Sequence, residues 1–364
     1  MSISVCMIVK DEAKFIRQAI ISTSNIADEI IVLDTGSTDD TVKIASNLGV
    51  TVHHFEWTGS FADARNESVK HATKDWVLIL DADEEIAPFG MADYFNQVMN
   101  LEQEHPTAYQ LRICNLHGDT KTEHFMPRFY RRDSGLIWQG FIHEQIVHET
   151  GCFVDKPTVS QIMLVHHGYE DEVMNDKDKT NRNLNLINKG LSDDPHDPFH
   201  WFNKGMVEYN QANWLSALEA FQQCIEYSDE DSHFIPISNT CLIAAFMEVG
   251  RIDEALTVAE FAPACCLGYP GYLNVCAKLQ YSIGNLDESF DLYNMSLTEK
   301  PMDMPFRDPA QTTWVPLAGI GNVYLAKGDV ARARKYFSYA HEISPNVPDL
   351  VRILNDLNNI DESE

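Results

Sequence analysis

Ile3–Val9 is an almost unbroken apolar run, and Lys10-Asp11-Glu12 then opens an amphipathic helix to about residue 25. The alternation continues. Ile30–Leu33 is a second apolar strand ending in the polar turn Asp34-Thr-Gly-Ser-Thr-Asp-Asp40, where Ser37 or Thr38 can cap a helix running to Leu48. Val50–Phe55 is a third strand, Phe61–His71 a third helix and Val77–Leu80 a fourth strand. Short aliphatic runs bounded by polar residues read as core strands; alternating with helices, they predict a parallel sheet with helices on both faces. From residue 107 to about 167 the texture changes to strand-like pieces and loops: Ala108–Asn115, His124–Tyr130, Glu144–His148 and Gln161–Val165. A helix from about Asp171 to Gly190 leads into Ser192-Asp-Asp-Pro-His-Asp-Pro198, a linker by its Pro and Asp content.

Beyond the linker every periodic segment is helical, and the pattern repeats. Trp314 opens a segment with Gly321, Tyr324, Gly328, Ala333, Phe337, Ala340 and Pro345, and Trp201, Gly205, Ala217 and Phe221 keep much of the same frame. Gly250 with Ala255, and Gly284 with Ser289, Tyr293 and Pro301, fit it more loosely. The small-residue positions 217, 255, 289 and 333 are 38, 34 and 44 residues apart, so Pro301–Pro309 reads as an insertion into a period of about 34 residues. This region resembles a four-repeat tetratricopeptide module with a concave face for a partner. The fold class is therefore α/β followed by all-α, with domains expected at 1–192 and 193–364.

Composition narrows the partners. The 364 residues are 44% hydrophobic, enough for two cores. The 27 basic against 55 acidic residues, net −28, argue against nucleic acid and against an anionic membrane surface. A nucleotide would need local cations, such as Arg65, Arg128, Arg131 and Arg132, together with metal. The eight cysteines include no Cys-X-X-Cys pair and read as reduced thiols. The amino-terminal segment lacks signal-peptide features and no apolar stretch is long enough to span a bilayer, so the expectation is a cytoplasmic protein with no transmembrane segment.

The richest chemistry lies in Trp76-Val-Leu-Ile-Leu-Asp81-Ala-Asp83-Glu84-Glu85, a buried-strand pattern ending in four carboxylates within five residues. Open α/β sheets bind ligands beyond the carboxyl ends of their strands. Asp-X-Asp there places two hard oxygen donors side by side, which suits a divalent cation that also holds a diphosphate. Asp34-Thr-Gly-Ser-Thr-Asp-Asp-Thr41 ends the second strand at the same edge; an acid there can accept from a base N–H or a ribose hydroxyl. Val5-Cys-Met-Ile-Val-Lys-Asp-Glu12 brings a third exit loop. It lacks the glycine-rich, basic phosphate loop a sugar nucleotidyltransferase would need.

Together these segments, with Phe55-Glu-Trp57, Phe61-Ala-Asp-Ala-Arg65-Asn66 and Asp81-Ala-Asp-Glu84, resemble a family 2 glycosyltransferase of the GT-A fold. More narrowly they resemble the bacterial subgroup with tetratricopeptide repeats after the catalytic domain, which includes S-glycosyltransferases acting on bacteriocin peptides such as sublancin. The resemblance implies that Asp34 reads the nucleobase and that Arg65 and Asn66 contact the nucleotide. It implies that Asp81 holds the ribose or approaches the metal through water, and that Asp83 ligates Mn²⁺ or Mg²⁺ directly. Pro127-Arg128-Phe-Tyr-Arg131-Arg132 offers cations for the diphosphate. Trp138-Gln-Gly-Phe-Ile-His143-Glu144 resembles the subgroup's Ile-His-Glu segment, with Glu144 as the base that inverting transfer requires. Val165-His166-His167-Gly-Tyr169 matches its His-X-Gly-Tyr, with His166, or else His167, as a further metal ligand. The expected donor is a nucleotide sugar, UDP-linked; the acceptor is a peptide, protein or glycan, and the repeats bind acceptor, partner protein or a second copy. The rival readings are a non-catalytic scaffold with a relic transferase domain, and the same enzyme acting on surface saccharide or lipid-linked glycan.

Overall fold

The computed structural model describes all residues except 88–90, 102, 118–119, 168–176, 230–231, 299–305 and 362–364. Gly168 and Tyr169 of the His-X-Gly-Tyr match, the start of the helix expected from Asp171, and most of the Pro301–Pro309 insertion lie outside the described residues. The chain divides into two compact units: Met1–Gly190 with Pro305–Arg307, and Leu191–Met304 with Asp308–Glu364.

The strands of the first unit are β1 (Ile3–Val9), β2 (Glu29–Asp34), β3 (Thr51–His54), β4 (Trp76–Ile79), β5 (Glu84–Ile86), β6 (Ala108–His117), β7 (Thr120–Arg131), β8 (Leu136–Gln139), β9 (Gln145–His148), β10 (Thr158–His166) and β11 (Phe306–Arg307). Its main sheet runs β3-β2-β1-β4-β7-β6-β10-β5, with β11 pairing to β7. The first four strands are parallel. Their register aligns Val9 with Asp34 and Cys6 with Ile79, so three carboxyl ends reach one edge. From β4 onward the sheet is mixed, because β7 runs antiparallel to both β4 and β6.

The apolar runs are continuous because both faces are covered. Trp76, Leu78 and Leu80 pack into one core with Val5, Met7, Ile16 and Phe95. The alternate residues Val77 and Ile79 face a second core with Ala62, Tyr130 and Trp138. Helices α1 (Ile16–Ser22), α2 (Thr41–Asn47), α3 (Phe61–Lys70) and α4 (Met91–Met99) flank the sheet. Two local expectations change. The first helix begins at Ile16, after a turn in which Phe15 and Ile16 donate to the Glu12 carbonyl. Neither Ser37 nor Thr38 caps α2; they bond Asp11 across the neighbouring exit loop, and Asp39 accepts from the Thr41 amide instead.

The second unit is helical, entered through α5 (Lys177–Asp193). Successive packed pairs are α6 (Pro198–Asn210) with α7 (Trp214–Tyr227), α8 (Phe234–Glu248) with α9 (Ile252–Phe261), α10 (Pro270–Ser282) with α11 (Leu286–Thr298), and α12 (Trp314–Ala326) with α13 (Val330–Ile343); α14 (Pro348–Asp361) packs on α13. Ala217, Ala255, Ser289 and Ala333, the repeated small positions, are all fully buried. At Gly205 an added Cβ would lie 2.6 Å from Phe221 Cε1, which explains why α6 and α7 need glycine at this crossing. Among the described residues no helix is long and apolar enough to cross a membrane, and all eight cysteines are free thiols.

Candidate active site at the carboxyl edge of the sheet

Chain geometry delivers the first acids here. Asp34, the last residue of β2, is buried and folds back on its own turn: Oδ1 accepts from the Ser37 amide at 3.0 Å, and Oδ2 from the Gly36 amide and His54 Nδ1. Burial works to raise its pKa, but the bonds from Ser37, His54 and Gly36 outweigh it and hold the carboxyl below its ordinary range. Asp11, at φ 56°, accepts from the Thr38 amide and hydroxyl, so the exit loops of β1 and β2 are laced together. A non-glycine residue in the left-handed region is a strained conformation held by its surroundings.

Asp81 follows β4 and sits between two arginines. Arg65 Nη2 lies 2.9 Å from Oδ1 and Arg128 Nη2 2.8 Å from Oδ2. Arg65 also bonds Glu144, and Arg128 bonds Glu84 at 2.9 Å. The result is one chain of alternating charge, Glu144–Arg65–Asp81–Arg128–Glu84. Burial would raise Asp81, yet the two guanidiniums outweigh it and hold the carboxyl far below the usual range. Glu84 goes the other way: burial and the Asp81 charge raise it against the pull of Arg128. Three guanidinium nitrogens, Arg65 Nη1 and Arg128 Nε and Nη1, are buried without a hydrogen-bond partner among the described residues. Buried donors in a cationic group ask for an anionic acceptor.

Glu84 stands unassigned in the sequence, yet it is the hub of the loop. Its Oε2 accepts from the Asp81 amide at 3.0 Å, its own amide donates to the Asp81 carbonyl, and its other oxygen binds Arg128. It also begins β5, a strand that the sequence pattern does not announce. Through β5, Glu84 pairs in register with His166 of β10. That pairing brings His166 Nε2 to 3.2 Å from Asp83 Oδ2, while the His167 amide donates to the Asp83 carbonyl at 2.9 Å. His167 Nε2 itself lies 3.2 Å from Glu85.

Asn66 and Arg65 share α3 but do different work. Asn66 exchanges two 2.8 Å hydrogen bonds with the backbone of Trp138, so its amide straps β8 to the helix. Together with the Phe61 amide donating to the Phe141 carbonyl, it docks the 138–144 segment on α3. Glu144 then meets Arg65, and His143 just before it takes φ 52°.

Arg131, grouped with Arg128 in the sequence, lies apart from it. It pairs in register with Trp76 at the start of β4, and its guanidinium lies 5.2 Å from the Trp76 ring centroid. A strand advances about 3.3 Å per residue, so three residues separate Arg131 from Arg128 by about 10 Å, toward the amino-terminal edge of β4. Arg132 is at that edge too, donating to the Lys74 carbonyl.

Asp83 and His166 are the side chains here that could hold a cation. Two adjacent ligands of one octahedral divalent ion have donor atoms about 3 Å apart; the 3.2 Å separation fits, and carboxylate oxygen with imidazole nitrogen suits such an ion. Each Asp81 oxygen faces an arginine. Among the described residues no group of three or more His, Cys, Asp or Glu side chains is placed to hold a metal.

Comparison with known proteins finds similarity in sequence. Residues 4–143 match the sequence profile of glycosyl transferase family 2, a span that holds Asp34, Arg65, Asp81, Asp83 and Arg128 but ends just before Glu144. The chain is 29% identical over 203 residues to a TPR repeat-containing protein of Synechococcus elongatus, covering 54% of this chain and 50% of that one. It is 29% identical over 202 residues to the SPbeta prophage-derived glycosyltransferase SunS of Bacillus subtilis, covering 53% and 46%. An uncharacterized glycosyltransferase of Rickettsia felis is 37% identical over 126 residues, covering 34% and 44%. The chain thus spans about half the length of the curated relatives it matches. Within the first unit, residues 4–143 are thus similar to glycosyl transferase family 2, and the acids and arginines of that span gather at the carboxyl edge of the sheet.

Proposed function

We propose that this chain is an inverting, metal-dependent glycosyltransferase that moves a sugar from a UDP-linked donor to a peptide, protein or glycan acceptor in the cytoplasm. Residues 1–192 form its catalytic domain and 193–364 a tetratricopeptide-like domain that engages the acceptor, a partner protein or a second copy. One observation carries the reading: two buried arginines flank Asp81 at the end of β4 and keep unpartnered N–H groups there. Those groups are donors for phosphate oxygens, and Asp34 at the neighbouring strand end is the base or ribose contact.

Asp83 and His166 would hold Mn²⁺ or Mg²⁺, which when bound supplies positive charge against the departing diphosphate. Arg65 and Arg128 supply fixed charge to the same end, preorganised by Asp81 and Glu84. Glu144 has Oε1 on Arg65, which leaves Oε2 to take the acceptor proton. Arg65 therefore links the acceptor-side base to the donor-side acid through a single guanidinium.

A panel of nucleotide sugars, scored for nucleotide release with Mn²⁺ or with excess chelator, tests the proposal. Turnover of one donor, lost in chelator and in Asp83→Ala, is the expected outcome. Equal turnover in chelator, or in Asp83→Ala, removes the metal assignment; no binding of any donor removes the transferase reading.

A further inference from the structure

Trp138, on β8, is 3% exposed and is tied at both ends. At the backbone, its N–H donates to Asn66 Oδ1 and its carbonyl accepts from Asn66 Nδ2, both at 2.8 Å. A backbone N–H only donates and a backbone carbonyl only accepts, so these partners fix which way the Asn66 amide is turned. At the ring, the indole Nε1–H donates to the Tyr130 hydroxyl at 3.1 Å. Tyr130 is itself buried on β7, in register between Val77 of β4 and Ala108 of β6. An indole anchored at its backbone and at its far edge has little freedom to tilt.

The guanidinium carbon of Arg65 lies 5.4 Å from the centroid of that indole. Arg65 is buried, with Nε on Glu144 and Nη2 on Asp81. Those two bonds hold the guanidinium at its edges and leave it free to rock about the line between the carboxylates. The indole face opposes the rocking through cation–π attraction. With Nε and Nη2 engaged and one face covered, Nη1 is the nitrogen left for an anionic ligand.

We propose that Trp138 is a positioning residue, a fixed floor that aims Nη1 of Arg65, and that Asn66 and Tyr130 hold the floor in place. What Arg65 is aimed at rests on the transferase reading; that the floor sets its direction does not. Asn66 thus acts through Trp138 rather than on the nucleotide. Local sequence hides the arrangement, since 72 residues separate Asn66 from Trp138.

Two readouts on the full chain separate the floor from the reaction. The first needs no ligand: it is the Arg65 Nε–H resonance of ¹⁵N-arginine-labelled protein, assigned by its loss in Arg65→Lys. Trp138→Leu should displace it, and Trp138→Phe, which keeps a ring under the guanidinium, should bring it back toward its place. Asn66→Ala should displace it too, with no nucleotide present; a residue that only touched nucleotide would leave it unmoved. Asn66→Asp adds a pH signature. Ionised, that carboxylate sets one oxygen against the Trp138 carbonyl; protonated, it offers the same donor and acceptor as the amide. Facing a carbonyl favours the protonated form, so the displacement seen at about pH 7.5 should shrink toward the parent position by about pH 5. A displacement that persists across that range removes Asn66 from the proposal.

The second readout is calorimetric binding of UDP with Mn²⁺. Trp138→Leu should weaken it by roughly 3- to 30-fold, the fold-change of a lost cation–π contact out of water, and Trp138→Phe should recover most of that loss. A resonance that Trp138→Leu leaves in place overturns the floor, and one displaced with UDP affinity unchanged overturns the positioning role. If UDP fails to bind the unsubstituted protein, the transferase reading falls, and the Arg65 resonance alone decides the floor.

Discussion

The carboxyl edge of the first unit buries charge, whereas the repeats of the second unit bury neutral polar groups. At the edge, Arg65, Arg128 and Glu84 are at most 7% exposed and are joined through Asp81 and Glu144 in one network. In the repeats, Asn203, Asn239, Ser289 and Ser296 are buried, each bonding a backbone carbonyl within its own unit. A neutral hydrogen bond of the second kind contributes about 1 kcal/mol and asks little of its surroundings. Buried ion pairs gain little over apolar packing, because desolvation offsets their attraction. The repeats are therefore built for stability and close helix approach, and the sheet edge holds its charges for chemistry.

Removing one charge from the network should show this most sharply. Arg128→Met keeps the bulk but leaves Asp81 and Glu84 without the cation between them. The expected loss is roughly 3–5 kcal/mol in urea or thermal unfolding, because an uncompensated buried charge is left behind. A loss below about 1 kcal/mol would mean the network relaxes freely, and the contrast with the repeats would fail.

Glu144→Gln probes chemistry at the other end of the same chain. Gln retains a carbonyl oxygen for Arg65, so folding should change little, while turnover at saturating donor should fall by about 10² to 10⁴-fold. The split matters: a fall in turnover with donor KM unchanged marks a base, whereas a rise in KM alone would mark Glu144 as a brace for Arg65. A thiol acceptor, with its lower pKa, would reduce the demand on the base and bring the loss toward the lower limit.

Much of this arrangement is legible in the sequence. The four parallel strands follow from apolar runs buried on both faces, and strand ends near residues 9, 34 and 81 put three acidic loops on one edge. Position and partner are different matters. Arg128 and Arg131 belong to one basic cluster in the sequence, and only strand register separates the buried one beside Asp81 from the one on Trp76. Glu84 reads as one acid among four, because β5 is three residues long and its pairing partner lies about eighty residues on. Asn66 keeps its place on the right helix, yet its bonds go to the Trp138 backbone, a contact that depends on how the 136–148 hairpin docks. Local pattern sets which edge carries chemistry; long-range pairing sets who meets whom.

Gly205 tests the other side of the comparison. A Cβ there would meet Phe221 at 2.6 Å, and Phe221 is fully buried among Ala217, Leu218 and Phe246. Gly205→Ala should destabilise by about 1–3 kcal/mol through overpacking, despite the better helix propensity of alanine. Donor binding should be untouched. A stabilised variant would mean that the α6–α7 crossing has slack, and that close helix approach is not what glycine provides.

The smallest effect is expected at Arg131, and it bears on the comparison from within a single strand. Its guanidinium stacks near Trp76 rather than joining the acids, and exposed or semi-exposed substitutions of this kind usually stay within about 0.5 kcal/mol, with a cation–π contact adding about 0.5–1 kcal/mol. Arg131→Ala should therefore leave donor KM unchanged and shift unfolding only slightly, although it lies three residues from Arg128 on β7. A several-fold rise in donor KM would return Arg131 to the diphosphate and undo the separation that strand register makes between the two arginines.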